Sequence, residues 1–496
     1  MKKIIFYTAL ILQNCLVYAN NSTSHTFFTV RPQWRSDSPE KIAFFHNNLF
    51  LENHTLFQAS VFGGKSTNSS ALAKYFLPFN ACKLRVAEVN FTIDGKATLT
   101  PEQKNENLIA ENINILTNNG DFYSIVSFAP QQTVFGIGLD FKQRLGKRWW
   151  LELSAPIERI HNTMGMKEQI INDGGGVKID SNTNTIAIGL DNSPVVANAT
   201  EAFKQKSWYF GKIVDQDAKW GLADIEAKIG LLFLNTENYR FNGYAGILIP
   251  TGNKPEGRYV FEQIIGNNKH FGFMFGDNIG LSYTTKHNFN LSLELDGNCT
   301  YLFKNTQVRS FDPVDKSFGR YLSLYSSREQ AAVASEGLNN SGNSGINFFT
   351  GCVTVKPRGS VNLNTAFCVE KSGYATEFGF NIYARQGEKV SLASKFPSEL
   401  AIKELFGNGA TNPTRGINTI VRNEDGAYPE GYKPLTCQDI NMDSAAHPAL
   451  ISNTVYASLG YKGDHAFLNT GGSYEHDVLN TSLNRWLVWT KIGLTF

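Results

Sequence analysis

The chain has 496 residues, of which 42% are hydrophobic, 12% aromatic and only 18% charged. Soluble proteins average about 25% charged residues, so this chain has a deficit of charge. Lys and Arg number 46, and Asp and Glu number 44, giving a formal net charge of +2. That balance excludes a typical nucleic-acid binder, which carries a basic surface. The sequence has one long apolar run, at its N-terminus, which excludes a polytopic helical membrane protein.

The N-terminal run has the pattern of a secretory signal peptide. Lys2 and Lys3 precede an apolar stretch at 4–12, and Val17 and Ala19 then place an aliphatic and a small residue at the cleavage-site positions. We therefore expect residues 1–19 to be removed during export. A membrane anchor is the weaker alternative, because the apolar stretch is too short to span a bilayer.

Five cysteines remain after the expected cleavage, and they do not form a disulfide framework. An odd number cannot pair completely within one chain, and the spacing lacks a zinc pattern. We therefore interpret them as free thiols and expect neither a metal nor a cofactor. The five are Cys82, Cys299, Cys352, Cys368 and Cys437.

The region before residue 120 differs from the rest of the chain. Residues 20–63 form an N-terminal segment with one or two possible strands, at 26–34 and 55–63. A capping box at 100–103, with Pro at the first helical position, predicts a helix over 101–116. We therefore interpret 64–119 as an insertion, which could be a plug, a periplasmic lid or a folded connection.

Strict alternation of apolar and polar residues dominates the remaining sequence. Residues 271–284 and 289–302 place their apolar and polar side chains on opposite faces of a strand. The same pattern predicts strands at 121–130, 133–145, 148–158, 221–234, 239–250, 346–356, 360–370, 374–385, 451–461, 465–475 and 484–496. One more strand near 388–396 is needed to keep the chain direction consistent.

The connections between these strands alternate between tight turns and long polar excursions. The long ones are 159–220, 251–270, 303–345 and 397–450. Bacterial transmembrane barrels have short turns at one end and long loops at the other, whereas a β-sandwich has no reason to segregate its loops by length. The predicted fold is therefore all-β: a single antiparallel transmembrane β-barrel over 120–496, with about 14–16 strands and a partly helical insertion near the N-terminus.

The C-terminal residues carry a more specific signal. Residues 484–496 read NRWLVWTKIGLTF and end on an aromatic residue. This segment resembles the terminal strand of bacterial outer-membrane β-barrel proteins, which the barrel-assembly machinery recognises. The resemblance implies a place in the outer membrane, in contact with its lipid. The residues on the apolar face of this assembly signal are Trp486, Val488, Ile492, Leu494 and Phe496.

A shorter resemblance concerns the segments 221–226 and 248–252, which read GLADIE and LIPTG. Paired strands of this style look like those of FadL-like uptake channels, which admit small aromatic or lipidic compounds. The resemblance implies a channel function, and we assign no binding residue from it.

The polar faces of the strands predict the residues that line the lumen. A charged group in hydrocarbon costs about 2–4 kcal/mol at the bilayer midplane, so charged side chains should point inward. The functional interpretation is a weakly selective polar pore; the alternative is a set of salt bridges that only stiffen the wall. The eight acidic and six basic candidates are Asp140, Lys142, Arg144, Arg148, Glu152, Asp224, Glu226, Lys228, Arg240, Glu294, Asp296, Glu370, Glu377 and Arg385.

Outward aromatic residues near strand ends are expected to form girdles at the membrane interfaces. The candidates are Trp149, Trp486, Tyr283 and Tyr301.

These features together favour a non-enzymatic channel or porin for passive uptake of small solutes, selected by lumen charges and by loops that fold inward. Two alternatives stay open: a barrel that displays its long loops to a host or partner, and an outer-membrane hydrolase with a catalytic set on separate strands. None of the three requires nucleic acid.

Overall fold

A computed structural model describes most of the chain after the expected signal segment. The described residues are 24–36, 38–44, 55–78, 81–88, 107–314, 316–326, 342–396, 400–402, 435–477 and 479–496. The expected signal segment, 1–19, lies outside them. Among the described residues, no helix is long and apolar enough to cross a membrane.

Twelve antiparallel strands form a closed barrel in which each strand pairs with the next along the chain. The strands are β1 Thr55–Ser66, β2 Gln131–Leu145, β3 Trp149–Thr163, β4 Ile225–Asn235, β5 Tyr239–Ile249, β6 Gly272–Thr284, β7 Asn290–Leu302, β8 Arg358–Lys371, β9 Tyr374–Arg385, β10 Leu450–Lys462, β11 Ala466–Asp477 and β12 Arg485–Thr495. A short strand, Lys219–Leu222, also pairs with β3 and precedes β4. The prediction of an all-β antiparallel barrel is confirmed.

The barrel closes between its first and last strands. The register runs from Leu56 opposite Thr495 to Ser66 opposite Arg485. Thr55 and Phe496 also exchange two backbone hydrogen bonds, of 2.9 and 3.1 Å. Closure leaves no open edge, and in hydrocarbon every backbone donor and acceptor must be satisfied within the protein.

Alternation along each strand separates an apolar exterior from a filled interior. In β12, side chains alternate strictly between buried and exposed. Val488 and Ile492 are 52% and 51% exposed on the outside, whereas Leu487 and Lys491 are buried inside. Asp277 interrupts the apolar exterior, and it stands opposite Gly243 of β5 and Gly297 of β7.

The connections segregate by length between the two ends of the barrel. Tight turns at 146–148, 236–238, 285–289, 372–373 and 463–465 define the turn side. The longer connections define the loop side: 67–130, 164–224, 250–271, 303–357, 386–449 and 478–484.

Exposed aromatic side chains lie outside the barrel near both of its ends. Trp149 and Tyr283 are at the turn side, and Trp486 and Tyr301 are at the loop side. This arrangement is the one expected of interfacial girdles.

The strand count is lower than the expected 14–16, because four predicted strands are not part of the wall. The extended segment at 26–34 lies inside the barrel. Residues 123–127, 350–356 and 389–392 pair within separate small sheets on the loop side. Val353 and Val355 of this group are 0% exposed in a core of their own. Alternation of apolar and polar residues indicates that one face of a strand contacts an apolar environment. It does not distinguish lipid from other parts of the protein as that environment.

The described parts of the loop-side connections fold together into a compact structure that we call the dome. It contains a four-stranded sheet of Lys83–Ala87, Asn107–Ile109, Tyr123–Ser127 and Lys167–Asn172, and a three-stranded sheet of Asn305–Ser310, Thr350–Lys356 and Lys389–Leu392. Shorter pairs join Ile179–Asp180 to Thr185–Ile186, Asp312–Pro313 to Ile440–Asn441, and Ser323–Tyr325 to both Asn343–Ser344 and Ala401–Ile402. Helices Ser69–Phe76 and Ala199–Ala202 complete it.

The described part of the expected insertion belongs to the dome. The helix predicted over 101–116 is wrong where it can be compared: residues 107–109 form a strand and 110–113 a 3-10 helix. Residues 101–106, with most of the capping box, lie outside the described residues. Leu108 and Ile113 are buried in the dome core, so their apolar pattern reflects packing between sheets.

We expect deletion of Phe496 to impair membrane insertion strongly, because it removes two closing hydrogen bonds with Thr55 together with the terminal aromatic. Membrane fractionation and heat-modifiable migration of the folded barrel would measure the effect. Phe496→Trp keeps the aromatic ring and the backbone, and it should insert normally. Normal insertion of the truncated chain would contradict the assembly role of this residue.

Candidate functional site: the occupied lumen

A segment of the chain itself fills the barrel. Residues 24–36 and 38–44, which we call the lumen segment, run from the dome to the turn side. At the dome, Thr26 N donates to Ser444 O at 2.8 Å. At the other end, Phe44 N donates to Glu377 Oε2 at 2.8 Å, and the Phe44 ring packs against Phe467.

The sequence of the lumen segment explains why it is not a wall strand. Pro32 and Pro39 lack the N–H that a central strand must donate. Pro39 instead opens a single helical turn, α1 Pro39–Ile42, where a missing N–H costs nothing. The backbone is therefore free to bond to side chains of the wall rather than to a ladder.

Lys41 is the main anchor of the lumen segment. Its Nζ lies 3.2 Å from Asp140 Oδ1, 3.2 Å from Glu152 Oε1 and 3.1 Å from Glu226 Oε2. Lys228 Nζ joins this cluster, 2.6 Å from Glu152 Oε1 and 3.5 Å from Glu226 Oε2. Lys41 is 1% exposed. A cation so deeply buried is tolerable only because it has several anionic partners.

Neighbouring residues of the lumen segment bind the same wall carboxylate. Ser36 Oγ donates to Glu226 Oε2 at 2.5 Å, and Arg35 Nε lies 3.6 Å from Glu226 Oε1. Arg35 Nη1 also donates to Asn267 Oδ1 at 3.0 Å. With Arg35 included, three cations face the three carboxylates of the cluster, so the charges balance.

A second charged cluster lies around Arg31. Arg31 Nη1 lies 3.6 Å from Glu475 Oε1, which in turn pairs through Oε2 with Arg485 Nε at 2.8 Å. The Arg31 guanidinium also lies 4.4 Å from the centre of the Tyr383 ring. Its terminal nitrogens donate to Asn381 and Asn362, so the lumen segment contacts inward side chains of β8, β9 and β11.

Trp34 provides the apolar contact between these clusters. Its ring is 0% exposed and lies parallel to Phe62, with centroids 6.1 Å apart. Gly138 allows the Trp34 ring to pack here, because a Cβ at position 138 would overlap the ring. At the turn side, Lys491 Nζ donates to the carbonyls of Glu40, Lys41 and Ala43, which end α1.

The structure brings several of the sequence-predicted lumen residues into contact with the lumen segment. Asp140, Glu152, Glu226 and Glu377 contact it directly, and Lys228 completes its main ionic cluster.

The other predicted residues form separate groups. Arg240 pairs with Glu294 at 2.7 Å. Asp296 accepts from Asn278 at 2.8 Å and Asp224 from Asn267 at 2.7 Å. Lys142, Arg144 and Arg148 lie near the turn side, Glu370 is half-buried there, and Arg385 bonds to His447 at the base of the dome. Their roles as pore-lining residues stay predictions.

The residues that occupy the lumen were not among the predicted lumen-lining residues. Arg31, Arg35 and Lys41 come before the first wall strand, in a stretch without useful periodicity. The sequence predicts a strand at 26–34 there and a short helix opened by Ser38-Pro39-Glu40, and α1 confirms the helix. One feature of the sequence indicated that such residues exist. The predicted lumen-lining set contains two more acidic than basic residues, so the interior needed cations from another part of the chain.

The dome holds the start of the lumen segment through a buried polar cluster. His25 stacks on Tyr75, with centroids 4.7 Å apart, and Arg309 Nη1 pairs with Glu388 Oε2 at 2.5 Å. His447 N donates to Glu388 Oε2 at 3.0 Å. Burial lowers the pKa of His25 to about 4. Burial holds the pKa of His447 well below its usual value, and the positive charge of Arg385 lowers it further.

Three solved structures align with this chain at low similarity. An outer-membrane channel from Pseudomonas putida F1 is 9% identical with a TM-score of 0.38, over 90% of this chain and 96% of that one. The toluene transporter TodX from Pseudomonas putida is 9% identical with a TM-score of 0.34, over 95% and 94%. The β domain of the Bordetella autotransporter BrkA is 8% identical with a TM-score of 0.31, over 90% and 100%.

No family model and no curated protein matches the chain. The fold is established by the strand pairing of the chain itself. The predicted resemblance to outer-membrane β-barrel proteins is confirmed at the level of the fold. The wall is closed, its exterior is apolar, and its last strand precedes a terminal aromatic residue.

We expect Lys41→Met to reduce the free energy that holds the lumen segment inside the barrel by about 3–5 kcal/mol, because the substitution leaves buried carboxylates without one of their cations. Hydrogen exchange of amides 24–44, read by mass spectrometry, should become markedly faster. Lys204→Met, at an exposed position of the dome, is the matched control and should leave exchange unchanged. Equal protection in both variants would show that Lys41 does not anchor the segment.

The dome should lose stability as the pH falls from about 6.5 towards 4. A histidine whose pKa is lowered by folding binds fewer protons folded than unfolded in that window, so its contribution is complete above 6.5 and declines below it. Hydrogen exchange of residues near 25 and 447 should accelerate over this range. His25→Gln, which cannot take up a proton, should reduce the pH dependence. An exchange rate that does not change between pH 6.5 and pH 4 in the unmodified chain would refute this prediction.

Proposed function

We propose that this chain is an outer-membrane channel for passive uptake of a small solute, closed in this conformation by its own lumen segment. The observation that carries the proposal is a polar lumen filled by a separate stretch of chain, whose main ionic cluster is balanced in charge. The proposed setting is the bacterial outer membrane, reached by export and by the barrel-assembly machinery.

The width of the barrel supports this proposal. Eight strands enclose an interior that side chains can fill, and wider barrels leave space for a channel or a plug. With twelve strands, the interior of this barrel accommodates residues 24–44. If the segment moves, it vacates the space between the inward faces of the strands that it now fills.

The chemistry of the contacts also favours a segment that can leave. Arg31, Arg35 and Lys41 are bound mainly by carboxylates and amides of the wall. Water can take the place of such partners once it enters the lumen, because each hydrogen bond to a charged group is worth about 1.5–3 kcal/mol over its hydrated alternative. An interior held by apolar packing would have no comparable replacement.

The proposed pore lining follows from the same contacts. Asp140, Glu152 and Glu226 would be exposed to water once Lys41 withdraws, and Lys228 would remain as their counter-charge. The pore would therefore stay polar and hydrated along its wall, as passive diffusion of a small polar solute requires.

Planar-bilayer conductance tests the proposal. We expect the full chain to conduct weakly, and a variant lacking residues 24–44 to conduct steadily and several-fold more, because the segment no longer occupies the lumen. Lys41→Met should increase the frequency of opening, and Lys204→Met should behave like the unmodified chain.

Heat-modifiable migration must first establish that each variant forms a barrel. A folded variant without residues 24–44 that adds no conductance would overturn the channel proposal. That result would favour a barrel for loop display or an outer-membrane hydrolase, neither of which requires a passage for solutes.

A further inference from the structure

Cationic side chains lie on the outer surface of the barrel near its loop side. Lys65 of β1 and Arg159 of β3 occupy outward positions of their strands and are exposed. His161 follows Arg159 on the same face of β3 and is half-buried. A charged side chain on the lipid face is costly at the bilayer midplane and nearly neutral at the interface. These residues therefore belong at the edge of the wall that contacts hydrocarbon.

Strand pairing places these residues in two neighbouring rows across β1, β2 and β3. In the row nearest the dome, Lys65 stands opposite Thr133, and Thr133 stands opposite His161. In the next row, Arg159 stands opposite Phe135. Neighbouring strands are about 4.8 Å apart, so β1 and β3 are about 10 Å apart. The long side chains of Lys65 and Arg159 can reach one small anion across that distance.

Aromatic and aliphatic side chains continue the same surface towards the turn side. The Phe135 and Trp220 rings meet edge to face beside Arg159, with their centroids 6.0 Å apart. Trp220 is 55% exposed. The next row of outward residues is wholly apolar, and its members are 37–48% exposed. They are Val61, Ile137, Ile157 and Leu222.

The cations of this surface are not neutralised by carboxylates. Within the described part of the chain, neither Lys65 nor Arg159 takes part in an ion pair. Asp277 is the only acidic residue at an outward position of the twelve wall strands, and it lies on another part of the wall, in β6. Uncompensated positive charge therefore adjoins an apolar, lipid-facing area.

This arrangement matches the two ends of a phosphorylated lipid. An arginine binds phosphate through two parallel hydrogen bonds, and a lysine binds it as a point charge. Thr133 and His161 add hydrogen-bonding groups, and the apolar row offers a surface for acyl chains. A free anion has no use for that row. A protein partner would need a membrane-spanning segment with an acidic group, whereas a phospholipid has both parts in one molecule.

We propose that this surface is a binding site for a lipid with a phosphomonoester headgroup, in the leaflet on the loop side. The phosphate binds between Lys65 and Arg159, and the acyl chains lie along Val61 and Ile157. The proposal rests on the proposed outer-membrane setting, in which the long loops are extracellular. Because β1 also pairs with β12, a lipid bound across β1 to β3 stabilises the wall next to its closure.

Native mass spectrometry of the full chain in detergent tests the site, with equal amounts of phosphatidic acid and of phosphatidylcholine with the same acyl chains. We expect the chain to retain phosphatidic acid more than about tenfold better. Lys65→Gln and Arg159→Gln should each reduce this preference about fivefold, because a cation near a membrane surface contributes about 1 kcal/mol to the attraction of anionic lipid. Lys371→Gln is the matched control, since Lys371 is an exposed cation at the turn-side end of β8, and it should leave the preference unchanged.

Heat-modifiable migration must first show that each variant forms a barrel. Lys65→Arg keeps the charge and should keep the preference. Equal retention of the two lipids, or an undiminished preference in folded Lys65→Gln and Arg159→Gln, would overturn the proposal. Excess inorganic phosphate should leave phosphatidic acid bound, and displacement by it would overturn the lipid site in favour of a site for free anions. None of these outcomes depends on conductance, so failure of the channel proposal is separately visible.

Discussion

The constraint on which this structure depends is that a wall facing hydrocarbon must satisfy its own backbone hydrogen bonds. An antiparallel sheet meets this condition only by closing on itself, and here closure joins β1 to β12. Closure then fixes which side chains face inward, because the period of a strand is two. Asp140, Glu152 and Glu226 are therefore committed to the interior by their positions in the sequence, before any partner is present.

An enclosed set of carboxylates needs cations, and the lumen segment supplies them. Arg35 and Lys41 offset an excess of acid that the wall alone does not balance, and Lys228 completes the count within the main cluster. The lumen segment also fills the space that the twelve strands enclose. Occupancy of the lumen and electrostatic neutrality are therefore two results of one arrangement, which explains why the contacts are ionic rather than apolar.

Much of the wall could be predicted from sequence because lipid and lumen impose opposite preferences on alternate residues. The dome strands were misassigned to the wall because Val353 and Val355 alternate as wall residues do, although they pack against protein. The lumen segment was not predictable in this way. Its structure follows from Pro32, from Pro39 and from partners more than a hundred residues away, such as Glu226, and no local period encodes those contacts.

The position of the lumen segment also restricts the order of assembly. The segment comes before β1, starts among the loop-side connections and reaches the turn side at Phe44. If β1 and β12 paired first, this stretch would have to thread through a completed ring, with its charged side chains passing a narrow opening. Assembly is simpler if the strands wrap around the segment and the ring closes last. The residues that fill the lumen would then also serve as the core around which the wall is built.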